Sequence, residues 1–149
     1  MINSDFWRAD FDGWNRILTA TNYAVYRLPG DTTDGTPFAA TNCGGTCTAA
    51  SGINQDVAVP AGSSGTINYG GDFRSIGGSG TFNLVAWQLD NTGAPLASST
   101  VVVNTTGSWA TQAGSTALVA GAKTIRYQMY LITGGSVTFE LDDTYVRIN

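Results

Sequence analysis

The sequence predicts an all-β protein: an antiparallel β-sandwich or jelly roll of about eight to ten strands. Three observations carry this. Apolar residues recur at every second position, turn-forming Gly, Pro, Asn and Asp punctuate the chain at short intervals, and no window of useful length holds the 3.6-residue period of a helix. At 149 residues the chain fits one domain, long enough to bury a hydrophobic core without metals or many crosslinks.

Taken in order, strands are expected near Asn22 to Leu28, Gly52 to Val59, Gly65 to Ser75, Thr81 to Asp90, Ala97 to Thr105, Thr116 to Val119, Thr124 to Thr133 and Ser136 to Ile148. Two turns declare their chemistry. In "LDNTGAPL" Asn91 and Gly93 stand where a hairpin wants positive φ, and in "ITGGSV" Gly134 and Gly135 separate two strong β runs. The stretch "LPGDTTDGTPFAATNCGGTCTAASG" reads instead as a long polar loop, a length that in a compact domain marks function or a staple. Within it Cys43 and Cys47 flank a Gly-rich tip flexible enough to let their sulfurs meet, and a disulfide is expected. A zinc site would need further ligands, and the chain has no histidine and no other cysteine.

The strands divide into faces. In "TIRYQMYLIT", Ile125, Tyr127, Met129 and Leu131 form the core side, leaving Arg126, Gln128 and Tyr130 as a row of polar and aromatic groups on the other. In "TINYGGDFRS", Ile67, Tyr69 and Phe73 oppose Asn68, Asp72 and Arg74. In the closing strand Val137, Phe139 and Leu141 are core, with Thr138, Glu140 and Asp142 on the polar side. If that strand neighbours the one holding Arg126, Glu140 sits beside Arg126 or Gln128; otherwise it belongs to an ordinary cross-strand ion pair. "TFNLVAWQLD" is apolar on both faces, so the direction of Trp87 and of Gln88 stays open.

Composition narrows the function. Only 12% of residues are charged and the net charge is −4 with a single lysine, Lys123; nucleic acid, which needs clustered Lys and Arg, is excluded as a partner. No apolar run is long enough to span a membrane and no secretory leader opens the sequence, so the chain reads as an excised module. A surface of hydroxyls, amides and glycine, with the cysteine pair, points to a secreted protein. The lack of histidine removes the commonest general base. Glu140 and Asp142 share a face about 7 Å apart, a spacing open to paired-carboxylate chemistry, but Glu140 is the only glutamate, and no enzymatic activity is expected.

Five segments in order resemble one family. "INSDFWRADFDGW" is similar to the opening of jelly-roll carbohydrate-binding modules of families four, nine, sixteen and twenty-two; "INYGGDFRS", "VAWQLDNTGAPL", "TTGSWATQ" and "FELDDTYVRI" resemble their later strands and hairpin. The resemblance implies a non-catalytic domain attached to the catalytic domain of a secreted glycan-degrading enzyme, with a sugar groove across one sheet and a structural calcium; a monomer is expected. The calcium would be held by Asp142 or Asp143 with an acid of the first strand. Trp7 stands where the family carries that acid, so Asp5, Asp10 or Asp12 would supply the oxygen.

Sugar recognition needs flat apolar surfaces for pyranose C–H faces and planar groups for hydroxyls. The expected groove is floored by Arg126, Gln128, Tyr130 and Glu140, joined by Gln88, Asn68, Asp72 and Arg74, with Trp87 and Trp14, Tyr23 or Tyr26 as aromatic platforms. Such a groove suits a single polysaccharide chain such as xylan or β-glucan. The alternative from another class is a structural or adhesive module of a surface protein or phage fibre.

Overall fold

The computed structural model describes residues 13–17, 23–26, 38–42, 49–76, 80–132 and 138–149. Ten strands run through them: β1 Asn15–Ile17, β2 Tyr23–Tyr26, β3 Phe38–Asn42, β4 Gly52–Ala58, β5 Thr66–Ile76, β6 Gly80–Leu89, β7 Pro95–Thr105, β8 Ala110–Ala117, β9 Thr124–Leu131 and β10 Thr138–Ile148. They form two five-stranded antiparallel sheets. The front sheet has the order β1-β4-β9-β6-β7 and the back sheet β2-β3-β10-β5-β8. Only β2 with β3 and β6 with β7 pair as sequence neighbours; the other pairings join distant segments as the chain passes from sheet to sheet, which makes the domain a jelly roll.

The expected alternation builds the core. Ile125, Tyr127 and Met129 of β9 are fully buried, Leu131 nearly so, and they meet Ile67, Tyr69 and Phe73 of β5. The open parity of β6 resolves in one direction: Phe82, Leu84 and Ala86 join this core, and Phe82 packs against Phe73 with ring centroids 5.5 Å apart. Trp87 therefore faces outward. Burial pushes the phenol of Tyr127 well above its ordinary pKa and raises that of Tyr69 as well. The Tyr69 hydroxyl reaches Ser99 Oγ at 2.9 Å, tying the back sheet to β7 of the front.

The strand boundaries depart from expectation where hydrophobic pattern is weak. β8 spans Ala110–Ala117 rather than beginning at Thr116, because half-buried Gln112, Gly114 and Thr116 alternate with exposed Thr111, Ala113 and Ser115 without a large apolar residue to mark them. β3 falls inside the stretch expected to be loop; its register is set by β2 and β10 on either side. The β6–β7 turn uses Gly93 at φ 84 as expected, but Asn91 does not take positive φ. Asp90 organises that turn instead. Its Oδ1 accepts from the Thr92 N–H at 2.8 Å, the Thr92 hydroxyl at 2.7 Å and the Ala94 N–H at 2.9 Å, bonds that hold its carboxyl below the usual carboxylate range. The Gly134–Gly135 turn lies outside the described residues.

Gly114 faces the core, where an added Cβ would come within 2.6 Å of the Tyr69 ring and 2.7 Å of Val101. Gly114→Ala therefore displaces the Tyr69 phenol from Ser99 and should lower stability by about 1–3 kcal/mol in a urea titration; an unchanged midpoint would show that the ring has room to move.

Candidate functional site

The front sheet carries the candidate site, and β9 sets its layout. Because Ile125, Tyr127 and Met129 are committed to the core, Arg126, Gln128 and Tyr130 must stand on the outer face. Antiparallel register then places their neighbours. Arg126 lies between Asp56 of β4 and Trp87 of β6; Gln128 lies between Asn54 and Val85; Tyr130 lies between Gly52 and Asn83. These are rows running across the strands, with Trp87 beside the guanidinium and the amide beside a half-buried asparagine.

The row is pre-arranged by its own bonds. Arg126 grips Asp56 with both arms, Nε to Oδ1 at 2.7 Å and Nη2 to Oδ2 at 2.8 Å, and the hydrogen bond to that carboxylate raises the guanidinium's pKa further. Asn83 donates from Nδ2 to the Tyr130 hydroxyl at 3.0 Å, and Asn15 of β1 donates to Asn54 at 3.5 Å. Beside Trp87 a depression of about 210 Å³ is lined by Leu89, Gly93, Pro95, Arg126 and Gln128. The wall formed by Gly93 and Pro95 is the turn that Asp90 fastens. An indole, a guanidinium and an amide thus line one open recess, with the Tyr130 phenol further along the same row of β9, an arrangement that can stack on an apolar ring face and exchange hydrogen bonds with hydroxyls.

The remaining expected ligands are elsewhere. Gln88 points inward and is fully buried; its Nε2 donates to the Ala117 carbonyl and its Oε1 accepts from the Val119 N–H, both at 2.8 Å. Parity explains the correction, since Gln88 shares the face of Phe82, Leu84 and Ala86. Trp14 is buried at 7% exposure, edge-on to Tyr127 with centroids 5.8 Å apart; it is a core residue and not a platform. Glu140 does not adjoin Arg126 or Gln128, because β10 belongs to the back sheet. It pairs in register with Arg74 and forms a buried ion pair with it, and Arg74 also stacks over Trp109 at 4.6 Å. Asn68 and Asp72 lie on the same back-sheet strand as Arg74, where Asp72 accepts from the Thr111 hydroxyl at 2.6 Å. Tyr23 and Tyr26 belong to β2, also in the back sheet.

The acids proposed for a metal also separate. Asp142 is fully buried, while Asp143 is exposed at φ 47 and gives its N–H to Asp142 Oδ1 at 2.9 Å. Among the described residues no three acids, histidines or cysteines converge on one point. Asp5, Asp10, Asp12 and the Cys43–Cys47 pair lie outside the described residues.

Asn54, Asp56 and Asn83 were missed from sequence. In "GINQDVA" the polar Gln55 stands between Asn54 and Asp56 and hides their common face; Gln55 is in fact buried. The signal for Asn83 was its place between Phe82 and Leu84, readable only once those two were known to be core.

No family model and no curated protein matches the sequence. Solved structures do match the fold. The enzymatically active domain of bacteriophage CBA120 tailspike protein 4 aligns over 100% of this chain with TM-score 0.78 and 12% identity, this chain spanning 21% of it. A family 61 carbohydrate-binding module in complex with β-1,4-galactotriose aligns over 100% of this chain and 97% of its own, with TM-score 0.71 and 15% identity. The N-terminal family 22 module and catalytic domain of Clostridium thermocellum endo-1,4-β-D-xylanase 10B, complexed with xylohexaose, aligns over 98% of this chain and 28% of its own, with TM-score 0.71 and 17% identity. The chain has the jelly-roll fold of carbohydrate-binding modules.

Reassigning Glu140 from ligand to ion-pair partner has a measurable consequence. Its side chain is 4% exposed and that of Arg74 11%, so Glu140→Gln leaves a guanidinium buried opposite a neutral amide. Loss of about 3–5 kcal/mol is expected in chemical denaturation, against less than about 1 kcal/mol for a solvent-exposed pair.

Proposed function

We propose that this chain is a non-catalytic carbohydrate-binding module that grips a single glycan chain across the outer face of the front sheet. One observation carries the reading: Trp87 stands in register beside Arg126, with Gln128 and the Asn83–Tyr130 pair on the adjoining positions. The indole supplies a flat apolar surface, and the planar polar groups supply donors and acceptors fixed before the ligand arrives, which lowers the ordering cost of binding. The row rises from strands and not from mobile loops, so it is suited to a chain lying in a shallow groove. The modules of like fold that were crystallised with β-1,4-galactotriose and with xylohexaose support a plant or algal cell-wall polysaccharide of neutral β-linked sugars as the ligand class.

In this reading the module is secreted and holds an attached glycan-degrading catalytic domain near its substrate. The xylanase and tailspike structures, in which a domain of this fold is a minor part of a longer polypeptide, support that context. A purely structural or adhesive role in a surface protein or phage fibre leaves the Trp87 recess without a use.

Native affinity electrophoresis through gels containing xylan, β-1,4-galactan, mixed-linkage β-glucan or mannan tests the proposal. Retardation is expected in at least one. Trp87→Ala should weaken that binding about tenfold or more, and Gln128→Ala and Tyr130→Ala about three- to tenfold, each with an unaltered melt. Unchanged mobility of the parent protein in every gel would return the domain to the structural reading.

Structural calcium belongs to the same proposal. The buried Asp142 would give one ligand oxygen, with Asp5, Asp10 or Asp12 and backbone carbonyls completing a shell of six to eight oxygens. Chelator should then lower Tm by several degrees, and added calcium should restore it; a melt indifferent to chelator would remove the ion.

A further inference from the structure

Arg126 is the only cation on the outer-face positions of the front sheet's described strands. A guanidinium in such a place is, by geometry, a receptor for carboxylates, since its fork matches both oxygens at once. Here the fork is already filled. Asp56, directly opposite in the β4–β9 register, takes Nε and Nη2, leaving Nη1 without a hydrogen bond among the described residues. Both side chains stay within reach of a ligand, at 39% and 41% exposure, and Trp87 stands in register with Arg126 on the other neighbouring strand.

We infer that Asp56 is a specificity-determining residue, which rests on the glycan-binding reading above: by occupying the Arg126 fork it restricts the face to neutral glycans and turns away uronate-bearing ones. Three effects act together. The bidentate donors that a uronate carboxylate would use are spent. The Asp56 charge repels an incoming carboxylate at the cation these outer-face positions present, and the net charge of −4 opposes approach of a polyanion at longer range. A neutral sugar meets no such penalty, because Nη1 can still donate to a hydroxyl and the Asp56 oxygens can accept from one.

The test compares retardation by neutral glycans (xylan, β-1,4-galactan) with retardation by polygalacturonate for the parent protein, Asp56→Asn, and the double variant Asp56→Asn with Arg126→Gln. The parent should be held by a neutral glycan and pass polygalacturonate unhindered. Asp56→Asn should gain about fivefold or more in affinity for polygalacturonate at low ionic strength, equivalent to one uncompensated charge contact. That gain should vanish at about 1 M salt, where the screening length is about 3 Å, and in the double variant. A structural role for Asp56 would lower binding to every glycan alike and would not reverse on removal of Arg126. If Asp56→Asn fails to fold, judged by its melt, Asp56→Ser replaces it in the same comparison. A parent that binds neutral glycan while Asp56→Asn gains nothing overturns the inference and leaves the glycan-binding reading intact, as does a parent that binds polygalacturonate as well as it binds neutral chains. A parent held by no neutral glycan removes the reading and the inference with it.

Discussion

The burial of one face of β9 is the constraint from which the rest of the site follows. Ile125, Tyr127 and Met129 have no exposure, and Leu131 has 2%; a shift of one residue would exchange this set for Arg126, Gln128 and Tyr130 and place a guanidinium in the core, at a cost no surrounding group could offset. The register is therefore fixed by hydrophobic burial. Once it is fixed, the ladders to β4 and β6 dictate what stands beside each outward side chain: Asp56 and Trp87 flank Arg126 because the core leaves no other pairing. The outward row is thus a by-product of packing on the opposite side of the same strand, and it inherits the rigidity of that packing.

Polar residues in this domain play two separate parts, divided by whether the side chain is buried or open to solvent. Gln88 turns into the sandwich and clamps the end of β8 by using both ends of its amide. The Tyr69 hydroxyl makes a second link between the sheets through Ser99. On the back sheet, Arg74 and Glu140 are buried against one another under Trp109. The Gln88 amide and the Tyr69 hydroxyl are satisfied by protein partners, and a buried polar group so satisfied specifies one packing over its competitors. The front-face groups are instead paired along one side and open on the other. That difference in how hydrogen-bonding capacity is spent separates a scaffold residue from a solvent-facing one, and residue type alone does not reveal it.

Sequence alternation was enough to read the strand class, the inward set of β5 and β9, and the outward trio of Arg126, Gln128 and Tyr130. It was not enough to read sheet membership. Glu140 and Arg126 both lie on polar faces, yet β10 and β9 belong to different sheets, and nothing in a period of two records which strand a given strand will join when most pairings are between distant segments. Parity was also unreadable where both faces are apolar, as in β6, or where adjacent residues are polar, as at Asn54, Gln55 and Asp56. Tertiary burial settled these cases. Trp14 illustrates the same limit for a lone aromatic: only its contact with Tyr127 distinguishes a core indole from an exposed one.

Fold likeness at 12 to 17% identity follows from the same division. Alternation and a buried centre are demands many sequences can meet, so they preserve a sandwich while leaving outward positions unconstrained. On the glycan-binding reading proposed above, what the outer face binds depends on those positions: whether an aromatic adjoins β9, and whether the cation there is open or already paired. In this chain the answer lies in the row Asp56, Arg126 and Trp87, one residue from each of three neighbouring strands. Two of its charges cancel and the third member is apolar, so the face offers shape and hydrogen bonds with no net charge. A surface of that kind discriminates among ligands by the placement of hydroxyls and ring faces, the features by which neutral sugars differ from one another.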